Sequence, residues 1–227
     1  MASKSRASAT PKKFRIFIVD DHPIFREGLS KIVGKEVDLE ICGEADTATE
    51  AFGKIGELKP DLVLSDIGLP GKSGLELIQD LHAAAPEIPV LVISMHDESV
   101  YAERVLRAGG RGYVMKQAGP AMMLQAIRQV LAGKVAVSAA ISAAILESLA
   151  RPGAPRDGGG IVGKLSNREF EILRLIGQGR DSHDIANALH LSIKTVDTHR
   201  GNIKTKLGLK NSTELIHYAV RWVGEQA

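Results

Sequence analysis

The sequence predicts an α/β domain with a doubly wound parallel sheet, followed by a small all-α domain of four helices. Short apolar runs alternate with amphipathic helical patterns over roughly the first two thirds of the chain. The segment Arg151–Gly163, RPGAPRDGGGIVG, is rich in Pro and Gly, which is typical of a flexible linker. After this segment the apolar residues follow helical periodicity. A length of 227 residues is enough for two such domains.

Five apolar, β-branched segments are expected to form the strands: Phe14–Asp20, Leu39–Ala45, Asp61–Asp66, Pro89–Ser94 and Gly112–Lys116. The helical patterns that follow them are Ile24–Val33, Thr49–Leu58, Leu75–Ala84, Val100–Ala108 and Ala121–Leu131. The runs at 62–64 and 90–93 have no polar alternation, which indicates strands covered on both faces of a parallel sheet. One further short helix is expected over residues 138–150.

Four helices are predicted in the second domain: Asn167–Gly177, His183–Leu189, Ser192–Leu207 and about Ser212–Val223. Ser166 is placed to cap the first of them, with Glu169 three residues further on as in a capping box. Ser192 is the expected cap of the third. A short helix, a three-residue turn and a longer helix form the pattern of a helix-turn-helix motif.

The predicted boundaries follow from this pattern. Residues 1–13 form a basic, disordered tail, 14–134 the α/β domain, 135–163 the short helix and linker, and 164–227 the helical domain. The two predicted domains also differ in charge. Residues 16–150 hold 12 basic and 19 acidic residues, whereas residues 164–227 hold 10 basic and 7 acidic ones. A basic module next to an acidic one suggests different partners, nucleic acid among those of the basic module, although a small positive excess is common.

Composition excludes several classes of protein. The longest apolar runs are far shorter than the ~18 residues of a membrane span. The segment Met1–Thr10 has no apolar core, so a secretory signal is not expected. The single cysteine, Cys42, cannot form an intramolecular disulfide and is interpreted as a small core residue. A cytoplasmic protein without membrane contact is expected.

Polar side chains at the ends of four predicted strands suggest phosphoryl chemistry. The first strand ends in Asp20 and Asp21, the third in Asp66, the fourth in Ser94 and the fifth in Lys116. Because parallel strands end at one edge of the sheet, these groups are expected to converge there. Clustered carboxylates suit Mg²⁺, and a carboxylate can act as the nucleophile that becomes an aspartyl phosphate. Each residue alone is as readily a turn residue or a solvated strand end.

The predicted helix Ser192–Leu207 has a polar face that fits a DNA groove. With Val196 turned inward, helical periodicity also turns Arg200 inward. The opposite face carries small polar groups and one cation, from Lys194, Thr198, Gly201 and Thr205, flanked by Thr195, Asp197 and Asn202. Such a face suits the major groove, entered by its N-terminal part first. An ordinary helical bundle with a solvated polar face is the alternative.

The first domain resembles the receiver domain of two-component response regulators over the whole of residues 14–134. The motifs that support this are FIVDDHPIFREGL at 17–29, DLVLSDIGLPGKSGLEL at 61–77, VLVISMHD at 90–97 and GGRGYVMK at 109–116. The resemblance implies the flavodoxin-like (βα)5 fold. It also implies a metal site for Mg²⁺ (or Mn²⁺), in which Asp20 and Asp21 form the acid pair, and Asp21, Asp66 and the carbonyl of Gly68 hold the ion.

The same resemblance implies a phosphorylation switch. Asp66 would accept a phosphoryl group from a sensor histidine kinase. Ser94 would bond a phosphate oxygen as the switch hydroxyl, Lys116 would pair with the phosphate, and Tyr113 would be the switch aromatic. Taken alone, Tyr113 is as readily a packed aromatic residue of an edge strand.

The second domain resembles the LuxR-type DNA-binding domain across residues 164–223. The matching pieces are LSNRE at 165–169, GQGRDSHDIANAL at 177–189 and LSIKTVDTHRGNIKTKLGL at 191–209. The resemblance implies binding to double-stranded DNA, with two half-sites and dimerisation through the last helix. The residues expected to contact DNA are Lys194, Thr195, Thr198, Arg200, Asn202 and Lys204. Family members often have a basic residue where this chain has Asp197, so the resemblance does not define which bases this helix contacts.

The combined interpretation is a transcriptional regulator of the NarL/FixJ type, which dimerises when phosphorylated and whose only chemistry is Mg²⁺-dependent phosphoryl acceptance. Three alternatives stay open. A haloacid-dehalogenase-type phosphatase would carry Asp-x-Asp, whereas Asp66 is followed by Ile67 and Gly68. A flavin-binding module would need a phosphate loop after the first strand in place of Asp20 and Asp21, and would be coloured. The third alternative is a regulator that binds DNA without phosphorylation.

Overall fold

The computed structural model describes residues 13–150 and 161–224 of the chain. The predicted disordered tail, apart from Lys13, and residues 151–160 of the predicted linker lie outside the described residues.

The described residues form five strands and ten α-helices in the predicted order. The strands are β1 Phe14–Val19, β2 Leu39–Ala45, β3 Leu62–Ser65, β4 Val90–Ser94 and β5 Gly112–Met115. The helices between and after them are α1 Pro23–Val33, α2 Ala48–Leu58, α3 Gly74–Ala84, α4 Glu98–Arg107, α5 Gly119–Leu131 and α6 Ala139–Ala150. The helices of the second domain are α7 Asn167–Gly177, α8 Ser182–Ala188, α9 Ile193–Leu207 and α10 Ser212–Gly224. Short 3₁₀ turns span Lys116–Ala118 and Ile161–Lys164.

The sheet is parallel throughout and has the strand order β2-β1-β3-β4-β5. Successive residues of each central strand contribute to opposite faces, as the pleat requires. Ile16 and Ile18 pack in the cluster with α1 and α5, whereas Phe17 and Val19 pack in the cluster with α2, α3 and α4. The prediction of a doubly wound sheet is therefore confirmed. Cys42 is only half-buried, because β2 is an edge strand.

The chain that leaves α5 pairs with the free edge of β5, the other edge strand of the sheet. The amide of Tyr113 donates to the carbonyl of Ala136 over 2.7 Å, and the amide of Ala136 donates to the carbonyl of Arg111 over 3.0 Å. Gly112 makes this approach possible, because a Cβ there would lie 2.5 Å from the carbonyl oxygen of Ala136. The connection to α6 thus begins by covering an exposed strand edge.

The second domain is held by a small core that all four of its helices share. Buried side chains from α7, α8, α9 and α10 meet in it: Phe170, Leu173, Ile185, Val196, Ile203 and Leu215. The predicted capping box at Ser166 and Glu169 is present, and Ser192 accepts a hydrogen bond from the amide of Thr195 over 3.1 Å. Gly177 allows α7 and α10 to touch, since a Cβ there would lie 2.5 Å from the carbonyl oxygen of Ala219.

A search of the described helices finds none whose length and apolar content would let it cross a bilayer.

Candidate metal centre and nucleic-acid interface

The predicted acidic residues meet at one edge of the sheet, just beyond the strands. Asp20 and Asp21 follow β1, and Asp66 follows β3. One ligand atom from each of these carboxylates and from His22 lies within 4.8 Å of the others. Oδ1 of Asp21 is buried and accepts no hydrogen bond, although Nδ1 of His22 lies 2.8 Å away. Oxygen ligands at this spacing are compatible with a divalent cation such as Mg²⁺.

Lys116 joins two of these carboxylates. Its Nζ lies 2.6 Å from Oδ2 of Asp20 and 2.6 Å from Oδ2 of Asp66, and its side chain is only 5% exposed. The other oxygen of Asp66 accepts hydrogen bonds of 2.6 Å each from the Ser94 hydroxyl and the amide of Ile67. Charge-assisted bonds of this length are strong, so the Asp66 carboxylate is fixed in orientation.

The surroundings shift the pKa values of the two buried carboxyl groups, Asp20 and Asp66, in opposite directions. Burial opposes ionisation of Asp66, but the charge and hydrogen bond of Lys116 and the hydroxyl of Ser94 outweigh it and hold the pKa of Asp66 below its usual value. Burial dominates at Asp20 and raises the pKa of that carboxyl. Despite burial, the pKa of Lys116 is raised by its two carboxylate partners. Asp66 is thus kept ionised, as a nucleophile must be.

Tyr113 lies on β5 and is 2% exposed. Its hydroxyl donates to the backbone carbonyl of His96 over 2.8 Å, and burial raises its pKa. The aromatic side chain therefore holds the loop between β4 and α4, which begins directly after Ser94. His96 could not be identified from the sequence, because a histidine in a loop carries no recognisable signal of its own.

The two domains touch along α4 and α7. The Phe170 ring packs edge-to-face against Tyr101 at a centroid distance of 5.4 Å, and the Arg104 guanidinium lies 3.8 Å above it. Arg104 also donates to the carbonyl of Val162 over 2.8 Å. Phe170 reaches across to Trp222 of α10, the single tryptophan of the chain. Sequence periodicity marked Phe170 only as apolar, since it does not distinguish a domain contact from a domain core.

A cavity of about 350 Å³ lies between the domains and reaches the acidic cluster. From the first domain it is lined by residues that include Asp66, Ser94 and His96, and from the second by residues that include Arg168, Arg174 and His190. The Arg168 side chain donates to the carbonyl of Gly71 over 2.8 Å, in the loop that follows Asp66. No sequence pattern marks Arg168 or Arg174 as residues of a cavity between the domains.

Glu171 gives this domain contact a pH dependence. It is 6% exposed, and burial raises its pKa to about 7 despite its 2.8 Å bond to Arg168. A raised folded-state pKa means that its contribution to stability is full below the unfolded value of 4.5 and is lost as the pH rises towards 7. We expect the unfolding free energy to fall by about 2 kcal/mol more in the wild type than in Glu171→Gln between pH 5 and 8.

Denaturant unfolding of both proteins at the two pH values measures this difference. Glu147→Gln on α6 is the control for a carboxylate that is exposed. Equal pH slopes for the wild type and Glu171→Gln would contradict the assignment.

The helix-turn-helix consists of α8 and α9. Its turn contains His190, one of two non-glycine residues of the described chain with positive φ, at 52°. The inner side of α9 is fixed by Val196, which is fully buried as predicted, and by Ile203, which is also fully buried. Its N-terminal half is free of the first domain on the outer side, where Lys194 and Thr198 are exposed.

The residues predicted to contact DNA fall into two groups on α9. Lys194, Thr198 and Asn202 are exposed on the outer side, and Thr195 and Lys204 are half-buried beside it. Arg200 is also half-buried and donates to the Ser182 hydroxyl of α8 over 3.1 Å. The same hydroxyl donates to Asp197 over 3.0 Å. Arg200 therefore stands at the border between the two helices, as its inward periodicity predicts.

Comparison with known proteins assigns both domains to described families. Residues 16–128 match the response regulator receiver domain, and residues 163–219 match the luxR family of bacterial regulatory proteins. The oxygen regulatory protein NreC of Staphylococcus aureus is 36% identical over 211 residues, which cover 91% of this chain and 97% of NreC.

Solved structures agree with this assignment. A structure of two RcsB dimers bound to two parallel DNAs is 26% identical, covers 91% of this chain and 98% of that chain, and has a TM-score of 0.56. RcsB of Salmonella enterica serovar Typhimurium bound to a promoter with the phosphomimetic BeF₃⁻ is 26% identical, covers 92% and 98%, and has a TM-score of 0.60.

Proposed function

Because this chain belongs to the two-component response regulators that join a receiver domain to a LuxR-type DNA-binding domain, we propose that phosphorylation of Asp66 by a sensor histidine kinase switches its binding to DNA. The observation that carries this proposal is the state of Asp66. It is buried, ionised and held between Lys116 and Ser94, each 2.6 Å away. A carboxylate fixed in this way is a nucleophile of defined direction.

A divalent cation fits beside it. Oδ1 of Asp21, which is buried and accepts no hydrogen bond, is available as a metal ligand. Asp20 and Asp66 lie in the same cluster. In the proposal, Asp21, Asp66 and the carbonyl of Gly68 hold Mg²⁺ (or Mn²⁺), and Asp20 stays close to the ion. The ion supplies positive charge for the oxygens of a transferring phosphoryl group.

Three residues of this chain, Asp66, Lys116 and Ser94, have separate roles in the transfer of the phosphoryl group. A carboxylate oxygen of Asp66 attacks phosphorus, the bond from phosphorus to the kinase histidine breaks, and the imidazole leaves with the electron pair. Lys116 neutralises charge on the phosphoryl oxygens from the side on which it now bonds Oδ2. Ser94 turns its hydroxyl from Asp66 to a phosphoryl oxygen.

The switch follows from the contacts that Ser94 and Tyr113 make. Phosphorylation adds roughly −1.5 to −2 charge and three acceptor oxygens. Movement of Ser94 towards them displaces the loop that follows β4, whose carbonyl at His96 holds the hydroxyl of Tyr113. Because this loop and α4 also touch α7, the change alters the contact between the domains.

The output of the switch is the protein bound as a homodimer to double-stranded DNA. We propose that two α9 helices reach two half-sites through Lys194, Thr195, Thr198, Arg200, Asn202 and Lys204. The structure of RcsB dimers on DNA supports this arrangement. In this proposal the receiver spans 14–134, the connection 135–163 and the DNA-binding domain 164–227. As a regulator of the NarL/FixJ type that meets both DNA and a kinase, the protein acts in the cytoplasm and has no enzymatic role beyond phosphoryl acceptance.

The test uses the full chain with Mg²⁺ and a purified sensor kinase of the same organism charged with phosphate. Intact mass, oligomeric state and DNA binding are measured together. We expect one added phosphate, a shift to dimer and tighter DNA binding. DNA binding that is equally tight without any adduct would instead identify a regulator independent of phosphorylation.

Replacement of Lys194 tests the orientation of α9 on DNA. Lys194 is exposed at the N-terminal end of the outer face, where a cation pairs with phosphate. We expect Lys194→Ala to weaken binding to specific and non-specific duplexes alike by about tenfold, and to lower the salt dependence of log K by about 1. Fluorescence anisotropy over a range of salt concentrations measures both.

Lys31→Ala on α1, which removes an exposed cation of the receiver, is the matched control and should leave DNA binding unchanged. A loss confined to the specific duplex would contradict the phosphate contact and indicate a base contact.

A further inference from the structure

One half-buried arginine at the domain boundary has a buried donor that no acceptor satisfies. Arg174 of α7 lines the cavity between the domains. Its Nη2 lies 3.1 Å from Nδ1 of His96, and its Nε is buried without a hydrogen-bond partner. Among residues 13–150 and 161–224, no carboxylate lies within ion-pair distance of it. A buried N–H group without a partner is unfavourable, so this donor is suited to an acceptor that enters the cavity.

The neighbouring side chains leave the Nε donor of Arg174 unsatisfied. Glu171, the buried carboxylate of the same helix, is bound to Arg168 at 2.8 Å. Arg168 has two further acceptors, the carbonyls of Gly71 and Leu189. His96 is an uncharged acceptor, since burial lowers its pKa to about 4. Arg168 therefore has three oxygen partners, whereas Arg174 keeps an unused donor at Nε.

The cavity connects this cation to the phosphorylation site. Asp66 and Ser94 line it from the receiver, and Arg174 lines it from the DNA-binding domain. With about 350 Å³ it has room for a molecule the size of an acyl phosphate. Phosphate oxygens are the anions that a guanidinium fork binds best.

We propose that Arg174 of the DNA-binding domain is a positioning residue for phosphoryl transfer, and that its guanidinium holds the phosphoryl-bearing anion in this cavity against Asp66. The inference rests on the proposed role of Asp66 and extends it: in the closed arrangement the DNA-binding domain completes the phosphorylation site. The anion is either a free acyl phosphate before transfer or the phosphoryl group on Asp66 after it.

The transfer is balanced without any further reactant. A carboxylate oxygen of Asp66 forms a bond to the phosphorus of the acyl phosphate. The bond from phosphorus to the bridging oxygen breaks, and the carboxylate of the acyl group leaves with the electron pair. Arg174 takes no proton in this step, so it is a positioning residue that pairs with phosphoryl oxygens.

The test measures the initial rate of phosphorylation of the full chain against acetyl phosphate concentration, with Mg²⁺ present and intact mass as the readout. We expect Arg174→Gln to raise the half-saturating concentration about tenfold, as loss of a charge-assisted hydrogen bond predicts. Arg174→Lys, which keeps the charge, should restore most of the binding. The decay rate of phosphorylated Asp66 is measured in the same proteins.

Two matched control variants distinguish a loss of anion binding by Arg174 from a general weakening of the contact between the two domains. Arg104→Gln removes another arginine of the domain contact, bonded to the carbonyl of Val162, that does not line the cavity. Arg107→Gln removes an exposed arginine of α4. Both are expected to leave the half-saturating concentration within about twofold of the wild type.

The outcomes distinguish the two sources of the anion. A raised half-saturating concentration with unchanged decay identifies the free acyl phosphate as the ligand of Arg174, and altered decay identifies the phosphoryl group on Asp66. The inference is overturned if Arg174→Gln leaves both unchanged, if Arg104→Gln produces the same change, or if the wild type accepts nothing from acetyl phosphate. Transfer from a kinase in that last case would leave the proposed function standing.

Discussion

Replacing Asp66 by asparagine is expected to abolish phosphoryl acceptance completely. The amide is nearly the same size and still accepts hydrogen bonds from Ser94 and Ile67, so the fold is kept. It lacks the negative oxygen that forms the bond to phosphorus. Intact mass after incubation with Mg²⁺ and a charged kinase is expected to show no adduct, and the change in oligomeric state is expected to disappear with it.

Asp80→Asn is the matched control for this experiment. Asp80 is a half-buried carboxylate on α3 that pairs with Lys72 at the surface, so its loss should leave the adduct intact. An adduct of full yield on Asp66→Asn would show that another residue accepts the phosphoryl group.

Replacing Lys116 by methionine is expected to have the largest effect on stability. Lys116 is the shared partner of Asp20 and Asp66, which are 2% and 5% exposed. Removal of one member of a buried ion pair leaves uncompensated charge and costs about 3–5 kcal/mol. For a chain of this size the melting temperature at pH 7, without divalent ions, should fall by roughly 10 °C.

The pH dependence identifies the cause of that loss. The lowered pKa of Asp66 gives stability that is present above its unfolded value of 3.8 and is lost as the pH falls through the folded value. The raised pKa of Lys116 gives stability that is present below 10.5 and is lost above it. The deficit of Lys116→Met should therefore be greatest between these values and shrink below pH 4.

Added Mg²⁺ provides a second criterion, since it should stabilise Lys116→Met more than the wild type by replacing the missing positive charge. Lys72→Met, which breaks a surface pair, should change the melting temperature by no more than about 3 °C. If both lysine variants melted at the same temperature, the buried pair would not contribute to stability as described.

The structure connects the proposed phosphorylation site to the DNA-binding domain through few contacts. Ser94 bonds Asp66, Tyr113 bonds the carbonyl of His96, and the His96 ring meets Arg174 of α7. His96 also stacks on Tyr101, whose other edge packs against Phe170. In the proposed switch, any movement of the loop after Ser94 changes the surface on which α7 lies.

Much of the fold and of the acidic site could be predicted from the sequence, because both depend on short-range patterns. The run Leu62–Leu64 is apolar without alternation, which indicates a doubly covered strand, and Asp66 follows it after one residue. Parallel strands end at a common edge, so a carboxylate after β1 and another after β3 must converge. The capping serines of α7 and α9 are likewise local signals.

The relation between the domains was decided only by the tertiary structure. No local sequence pattern distinguishes Arg174 from Arg168. In the structure, however, Nε of Arg174 has no hydrogen-bond partner, whereas Arg168 is bonded to Glu171 and Gly71. Phe170 lies at an ordinary apolar position of α7, and only the packing of α7 on α4 turns it into the centre of the domain contact. Periodicity along one helix indicates which of its sides is buried. Which element covers that side, and which charged groups that element carries, depends on how distant parts of the chain pack together.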